Sequence, residues 1–148
     1  MIFQQNMHQL YKLSFLLTAS HVPAEECFVQ SLDDSAEGDR IFPPGAESRV
    51  SWIIARNAIR ITRPLPGDSL KGWSSGYNDV PEFAAVIGLP AFERFVFVLS
   101  VLERFTDQES ARLLNCSVGD VVSARVNSLQ SIARHDAEQS LFKKFDPC

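Results

Sequence analysis

The sequence is poor in cysteine, in positive charge and in long hydrophobic runs, and each shortage excludes a class of protein. Its three cysteines lie far apart, with no CxxC or Cys/His pair at metal-ligand spacing, so neither a metal site nor a cofactor is expected and a reducing cytoplasm suits them best. The formal net charge of −4 argues against a chain that binds mainly through non-specific phosphate contacts. No apolar run approaches membrane-spanning length.

Apolar residues at helical spacing are what the sequence does have. Hydrophobic residues make up 45% of the 148 residues, enough for a core. The spacing predicts helices over residues 2–19, from Pro23 to about Leu32, from a cap at Ser48 to about residue 62, and over 89–104. No stretch alternates convincingly with period two, so the predicted fold class is all-α.

A break in composition divides the chain. Residues 64–80 are rich in proline, glycine and serine and have no periodicity, which is typical of a flexible linker. We therefore predict two small helical domains, 1–63 and 81–148. Trp73, within the linker, has little core to join and is expected to contact a partner.

The stretch TDQESARLLNCSVGDVVSARV (106–126) has the outline of a helix-turn-helix. Thr106 and Glu109 are spaced as a capping box, and Ser117 and Asp120 repeat that spacing at the start of a second helix. Asn115 lies between them and tolerates the left-handed conformation of a sharp turn. A plain helical hairpin without a role in nucleic-acid binding fits this stretch equally well.

Three small or apolar positions favour the helix-turn-helix. Ala111 allows a close approach of the helices, Asn115 makes the turn and Val121 fills the crossing, at separations of four and six residues. Cys27 and Cys116 are predicted to be small core side chains.

The run LPAFERFVFVLSVLERFTDQESARLLNCSVGDVV, from Leu89 onward, resembles the −35-binding domain (region four) of bacterial RNA polymerase sigma factors. The first 63 residues are similar to region two, through LSFLLTASHVPAEE and IARN (54–57). The two-domain layout resembles the extracytoplasmic-function type. This resemblance implies a transcription-initiation factor that binds promoter DNA and RNA polymerase core and is regulated by an anti-sigma partner.

The resemblance also implies site residues. The predicted DNA contacts lie at the start of the second helix of the helix-turn-helix: Ser117, Asp120, Val122, Ser123, Arg125, Asn127 and Ser128. The predicted partner contacts lie in the amino-terminal domain: Glu25, Glu26, Gln30, Trp52 and Arg56. Trp52 itself is interpreted as a core or domain-contact residue before a base-stacking one, and Glu93 with Arg94 as a surface pair.

The sequence departs from the family pattern where charge matters most. The family commonly has lysine or arginine at the positions of Val122, Ala124 and Asn127, and Arg125 is the single basic residue from 118 to 132. The polymerase-gripping glutamine of the family corresponds to Val29, with Gln30 one residue late. Because few cations remain to neutralise phosphates, DNA binding is expected to be weak at physiological salt.

Two functions therefore stay open from the sequence. The first is a divergent sigma-like regulator that binds DNA through the helix-turn-helix. The second is a module on the same scaffold that binds polymerase or another sigma factor but not DNA. An enzyme is not expected, because the three histidines share no metal or triad spacing and GDSLKG is not a phosphate loop.

Overall fold

The computed structural model describes residues 2–38, 46–66 and 84–145, and within these ranges the chain forms helices and no strand. The seven helices are α1 (Ile2–Thr18), α2 (His21–Gly38), α3 (Ala46–Thr62), α4 (Ala84–Ile87), α5 (Ala91–Phe97), α6 (Asp107–Leu114) and α7 (Val118–Phe145). A π-helical turn, Val98–Leu102, follows α5. The all-α prediction is confirmed.

Three helix boundaries differ from the predicted ones. The α2 helix continues through polar residues to Gly38 instead of ending near Leu32, and a side-chain bond from Gln30 Nε2 to Asp34 Oδ1 (3.1 Å) supports this extra length. The α3 helix begins at Ala46, so Ser48 lies in its first turn and is not its cap. The α7 helix continues to Phe145, well beyond the stretch 106–126 in which its start was predicted.

Helices α1, α2 and α3 pack on one another, and a buried polar chain fixes α2 against α3. Asn57 Nδ2 on α3 donates to Ser31 Oγ (3.0 Å) and to Asp34 Oδ2 (3.1 Å) on α2. Ser31 Oγ donates in turn to the Cys27 carbonyl (2.6 Å). Cys27 is fully buried, as predicted, and burial raises the pKa of its thiol.

The two halves of the chain share one hydrophobic core. Buried residues of α1 and α3, among them Leu17 and Ile54, belong to the same cluster as Phe92, Phe95 and Leu99 of the carboxyl-terminal half. Contact between α1 and α5 makes this cluster continuous. The described residues thus pack as one body across the position of the predicted linker.

Arg94 joins these halves, and its prediction as a surface residue was wrong. Its side chain is 2% exposed, with Nε donating to the Leu17 carbonyl (2.9 Å) and Nη1 donating to the Leu89 carbonyl (3.2 Å). The Leu17 carbonyl lies in the last turn of α1, where a carbonyl has no partner within the helix. Burial lowers the pKa of Arg94 to about 10, so the guanidinium remains charged at neutral pH.

The π-helical turn explains why the predicted helix over 89–104 does not continue in phase. Glu103 N–H donates to the Val98 carbonyl five residues back, which is π-type bonding and inserts an extra residue into the turn. Leu102 consequently leaves the buried face and is 47% exposed, whereas Leu99 stays fully buried.

Most of the predicted linker lies outside the described residues. Residues 64–66 follow α3, and 67–83, with Trp73, are not described. The division into domains 1–63 and 81–148 stays a prediction.

Candidate nucleic-acid interface

The α6 helix starts with the predicted cap. Thr106 has an extended backbone, and its hydroxyl oxygen accepts from the Glu109 N–H (3.1 Å). The same hydroxyl donates to Glu109 Oε1 (3.1 Å), so the carboxylate binds the cap side chain. Asp107 and Glu109 also place negative charge at the positive end of the helix dipole. These contacts fix where α6 begins.

The turn between α6 and α7 is left-handed at Asn115, as predicted (φ 54°, ψ 53°). Cys116 N–H donates to the Ala111 carbonyl (3.0 Å), and Asn115 N–H donates to the Arg112 carbonyl (3.3 Å). The i to i+5 bond is the closure of a Schellman motif, which satisfies carbonyls that the helix end leaves free. The turn therefore redirects the chain within three residues.

A reciprocal capping box starts α7. Asp120 N–H donates to Ser117 Oγ (3.0 Å), and Ser117 N–H donates to Asp120 Oδ2 (3.3 Å). Both predicted DNA-contact side chains are thus engaged in the cap, and Ser117 remains exposed.

The inward positions of the helix-turn-helix are filled as predicted. Ala111, Leu114, Val121 and Ala124 are 0–7% exposed, and Val121 is fully buried at the crossing. Cys116 is only half-buried, so its prediction as a core residue holds in part. The packing of α6 on α7 and of α5 on α7 presents the opposite side of α7 outward.

The outward side of α7 is divided lengthwise into two strips. Ser123, Asn127, Gln130 and Arg134 follow one another at spacings of four, three and four residues, and all four are exposed. We name these four residues the polar lane. Hydroxyl, amide and guanidinium groups in one line can donate to and accept from base edges or phosphates.

The second strip is apolar. Val118, Val122, Val126 and Leu129 are 43%, 38%, 47% and 45% exposed, and they follow one another at spacings of four, four and three residues. We name these four residues the apolar lane. Val122, a predicted DNA contact, belongs to this lane and has no hydrogen-bonding side chain.

Arg125, the single basic residue at the start of α7, is held by an internal partner. Its guanidinium forms a two-pronged ion pair with the Asp107 carboxylate of α6, with Nη2 donating to Oδ2 at 3.3 Å and Nη1 donating to Oδ1. The bonds from Arg125 hold the pKa of Asp107 below its usual value, and the same bonds raise the pKa of Arg125. In this arrangement Arg125 braces α7 against α6 and its charge is largely compensated.

Two other predicted DNA contacts also have internal partners. Ser128 is fully buried and its hydroxyl donates to the Arg125 carbonyl (2.8 Å), so its prediction as a surface contact was wrong: it lies on the core side of α7. The Asn127 side chain bonds the Glu93 carboxylate of α5. Burial raises the pKa of Glu93, and the bond with Asn127 opposes that rise.

Three of the five predicted partner residues of the amino-terminal half, Gln30, Trp52 and Arg56, lie around Asp34. Arg56 lies over the Trp52 ring (5.2 Å from guanidinium carbon to ring centroid) and 3.8 Å from Asp34, to which Gln30 also donates. Trp52 is 40% exposed, which rules out the core half of its interpretation: it lies on the outer side of α3, stacked with Arg56. Bonds from Asn57 and Gln30 lower the pKa of Asp34.

Glu25 and Glu26 are exposed on α2. Sequence reasoning did not find Asp34 or Asp107, because each binds an arginine 22 or 18 residues away, where no local spacing links them. Within the described ranges, no group of three or more His, Cys, Asp or Glu side chains is placed to hold a metal, and no helix is long and apolar enough to cross a membrane.

Comparison with known proteins supports the fold. The sequence matches no protein-family model and no curated protein. Among solved structures it is similar to the sigma factor RpoE from Bartonella quintana, determined in complex with the anti-sigma factor NepR. The TM-score is 0.61 at 16% identity, over 97% of this chain and 95% of that chain. The chain therefore has a sigma-factor-like, all-helical fold.

Proposed function

We propose that the protein is a cytoplasmic, sigma-like transcription regulator that contacts duplex DNA through the polar lane of α7. The observation that carries this proposal is the complete helix-turn-helix frame, capped at Thr106 and Ser117 and turned at Asn115, which presents Ser123, Asn127, Gln130 and Arg134 on its outer side. A recognition helix held this way reads a major groove with its outward side chains.

The charge around the lane predicts weak binding. Arg112 and Arg134 are exposed near the frame, whereas the charge of Arg125 is compensated by Asp107. Each phosphate contact contributes a slope of roughly −0.9 to the dependence of log affinity on log salt, so two or three contacts give a shallow slope. Discrimination between bases then comes from the hydroxyl and amide side chains of the polar lane.

We also propose polymerase core and an anti-sigma-type regulator as protein partners of the amino-terminal half. The surface made by Gln30, Asp34, Trp52 and Arg56 supports this, because it combines an exposed aromatic ring with charged groups. The similar RpoE structure contains an anti-sigma factor. Co-purification of the full chain with polymerase core tests the first partner. Recovery of all the protein in the unbound fraction would contradict it.

Fluorescence anisotropy of a labelled duplex tests DNA binding. We expect saturable binding at about 25 mM salt that weakens with a log–log slope between about −1 and −3 as salt increases. A steeper slope would mean more phosphate contacts than this surface has cations. Absence of salt-sensitive binding at the lowest salt contradicts the proposal.

A second function is favoured by specific observations. The apolar lane beside the polar one and the ion pair that occupies Arg125 both suit a protein partner better than a phosphate backbone. In this alternative the same scaffold binds polymerase or another sigma factor without DNA. Retention of polymerase together with no duplex binding distinguishes it from the first proposal.

A further inference from the structure

The apolar lane is an exposed hydrophobic strip with no partner among the described residues. Val118, Val122, Val126 and Leu129 each keep between 38% and 47% of their surface in contact with solvent, although α7 has a buried side filled by Val121 and Ala124. Single exposed apolar residues are ordinary, but four in a line along one helix are typical of a surface that another helix covers.

The spacing of the lane is suited to packing against a helix. Val122, Val126, Leu129 and the exposed Ala133 follow one another at four, three and four residues, the spacing of the seam between paired helices. Together with Val118 the seam covers 16 residues, about 24 Å at 1.5 Å per residue. Ala133 allows close approach at one end.

The charges beside the apolar lane indicate which kind of partner it binds. The exposed residues on its outer border, Gly119 and Gln130, are neutral, and Arg125 on the inner border is compensated by Asp107. Asp136, at the carboxyl end, is a charge in line with the lane, so an identical copy meets little repulsion only where the two Asp136 carboxylates are kept apart. The lane itself offers little to a partner selected by charge. These features favour a second copy of this chain.

The order of residues along the apolar lane favours antiparallel over parallel pairing. If two lanes run antiparallel about an axis beside Val126, then Val122 meets Leu129 and Val118 meets Ala133 of the other copy. In a parallel pair, Asp136, which follows at the carboxyl end of the same strip, would face its own copy. Antiparallel pairing separates the two carboxylates and gives the self-complementary contact of a twofold interface.

We propose that the chain forms a weak antiparallel dimer through the apolar lane of α7, with the twofold axis beside Val126. The four side chains of the lane together with Ala133 make an interface below the roughly 1,200 Å² of stable complexes, so the dimer exchanges with monomer. This dimer does not depend on DNA binding, and its test contains no DNA.

Sedimentation velocity over a wide range of concentrations is the test. We expect monomer at about 1 μM and a growing dimer fraction at a few hundred μM. Val126→Glu places two carboxylates at the axis and should raise the dissociation constant by more than about tenfold. Ser20→Glu adds the same charge at the exposed turn between α1 and α2, outside the lane, and should leave the dimer as in the unsubstituted chain.

Cross-linking tests the direction of pairing. In a background with Cys116→Ser and Cys148→Ser, a mixture of Val118→Cys and Ala133→Cys chains should form the mixed disulfide-linked dimer under mild oxidation. Ala133→Cys alone, which would face its own copy only in a parallel pair, should not form a disulfide-linked dimer. Circular dichroism checks that each variant keeps its helix content, as expected for exposed positions. A chain that is monomeric at every concentration, or equal effects of Val126→Glu and Ser20→Glu, would overturn the proposal.

Discussion

At the residue scale, the helix-turn-helix of α6 and α7 depends on side chains whose roles are set by residues close to them in the sequence. Asn115 takes a left-handed conformation, and the caps at Thr106 and Ser117 bond backbone groups three residues away. Such roles follow from sequence because turn and cap chemistry is local. They also make the frame sensitive to single substitutions.

Asn115 provides the first prediction. Replacement by alanine should lower the free energy of unfolding by about 1 kcal/mol, because a β-carbon without the polar group of asparagine disfavours φ near 54°. Replacement by glycine should leave stability unchanged or raise it slightly, because glycine adopts that conformation freely. Urea unfolding measures both, and equal losses for the two variants would show that the left-handed turn is not the cause.

Roles that depend on distant partners were not predictable from single positions. Helix spacing predicted Phe92, Phe95, Val96, Leu99 and Leu102 on one face and Val121 at the crossing, and all of these but Leu102 are buried. Arg94 and Ser128 were assigned to the wrong environment, and Trp52 is not the core residue that was one of its two interpretations, because these places depend on which helix packs opposite. The π-helical turn likewise shows no periodic signal in the sequence.

At the element scale, α7 combines three surfaces: a buried side, the polar lane and the apolar lane. The ion pair between Arg125 and Asp107 lies where α7 meets α6 and holds the two helices together. The Arg125 guanidinium is therefore not available to contact a DNA phosphate. A sequence-based count of basic residues therefore overstates the charge that this helix presents. The sequence predicted the capped helix-turn-helix, but it did not predict that the Arg125 guanidinium is paired with Asp107.

Releasing Arg125 gives the second prediction. Asp107→Asn removes the carboxylate that holds it, and affinity for duplex DNA at low salt should rise by about three- to tenfold, because one more phosphate contact becomes available. Asp136→Asn makes the same charge change at an exposed position of α7 and serves as the control. An equal rise in both variants would mean that only net charge matters, and no rise in Asp107→Asn would contradict a role of this face in DNA binding.

At the scale of the whole molecule, the two halves are held by a shared core and by one buried arginine. Arg94 connects α5 to the end of α1 through the Leu17 carbonyl and also holds the Leu89 carbonyl before α5. A buried charge with two hydrogen bonds orients its surroundings more strictly than apolar packing does. The similarity to RpoE extends over both halves, which agrees with this joint packing.

Arg94 gives the third prediction. Arg94→Met keeps much of the side-chain volume but leaves two carbonyls without their donor, and the free energy of unfolding should fall by about 2–4 kcal/mol. Arg104→Met, at an exposed position, should change it by less than about 0.5 kcal/mol. Small-angle X-ray scattering under native conditions then reports whether the halves separate. Unchanged stability in Arg94→Met would show that the buried bonds do not join them.

The most direct test of DNA contact by the polar lane compares two equal charge changes. Ser123→Asp puts a carboxylate on the outer side of α7, and Ser20→Asp puts one at the exposed turn between α1 and α2. At about 25 mM salt, we expect duplex affinity to fall at least about fivefold in Ser123→Asp and by less than about twofold in Ser20→Asp. Equal affinities for the two variants would contradict DNA contact through the polar lane.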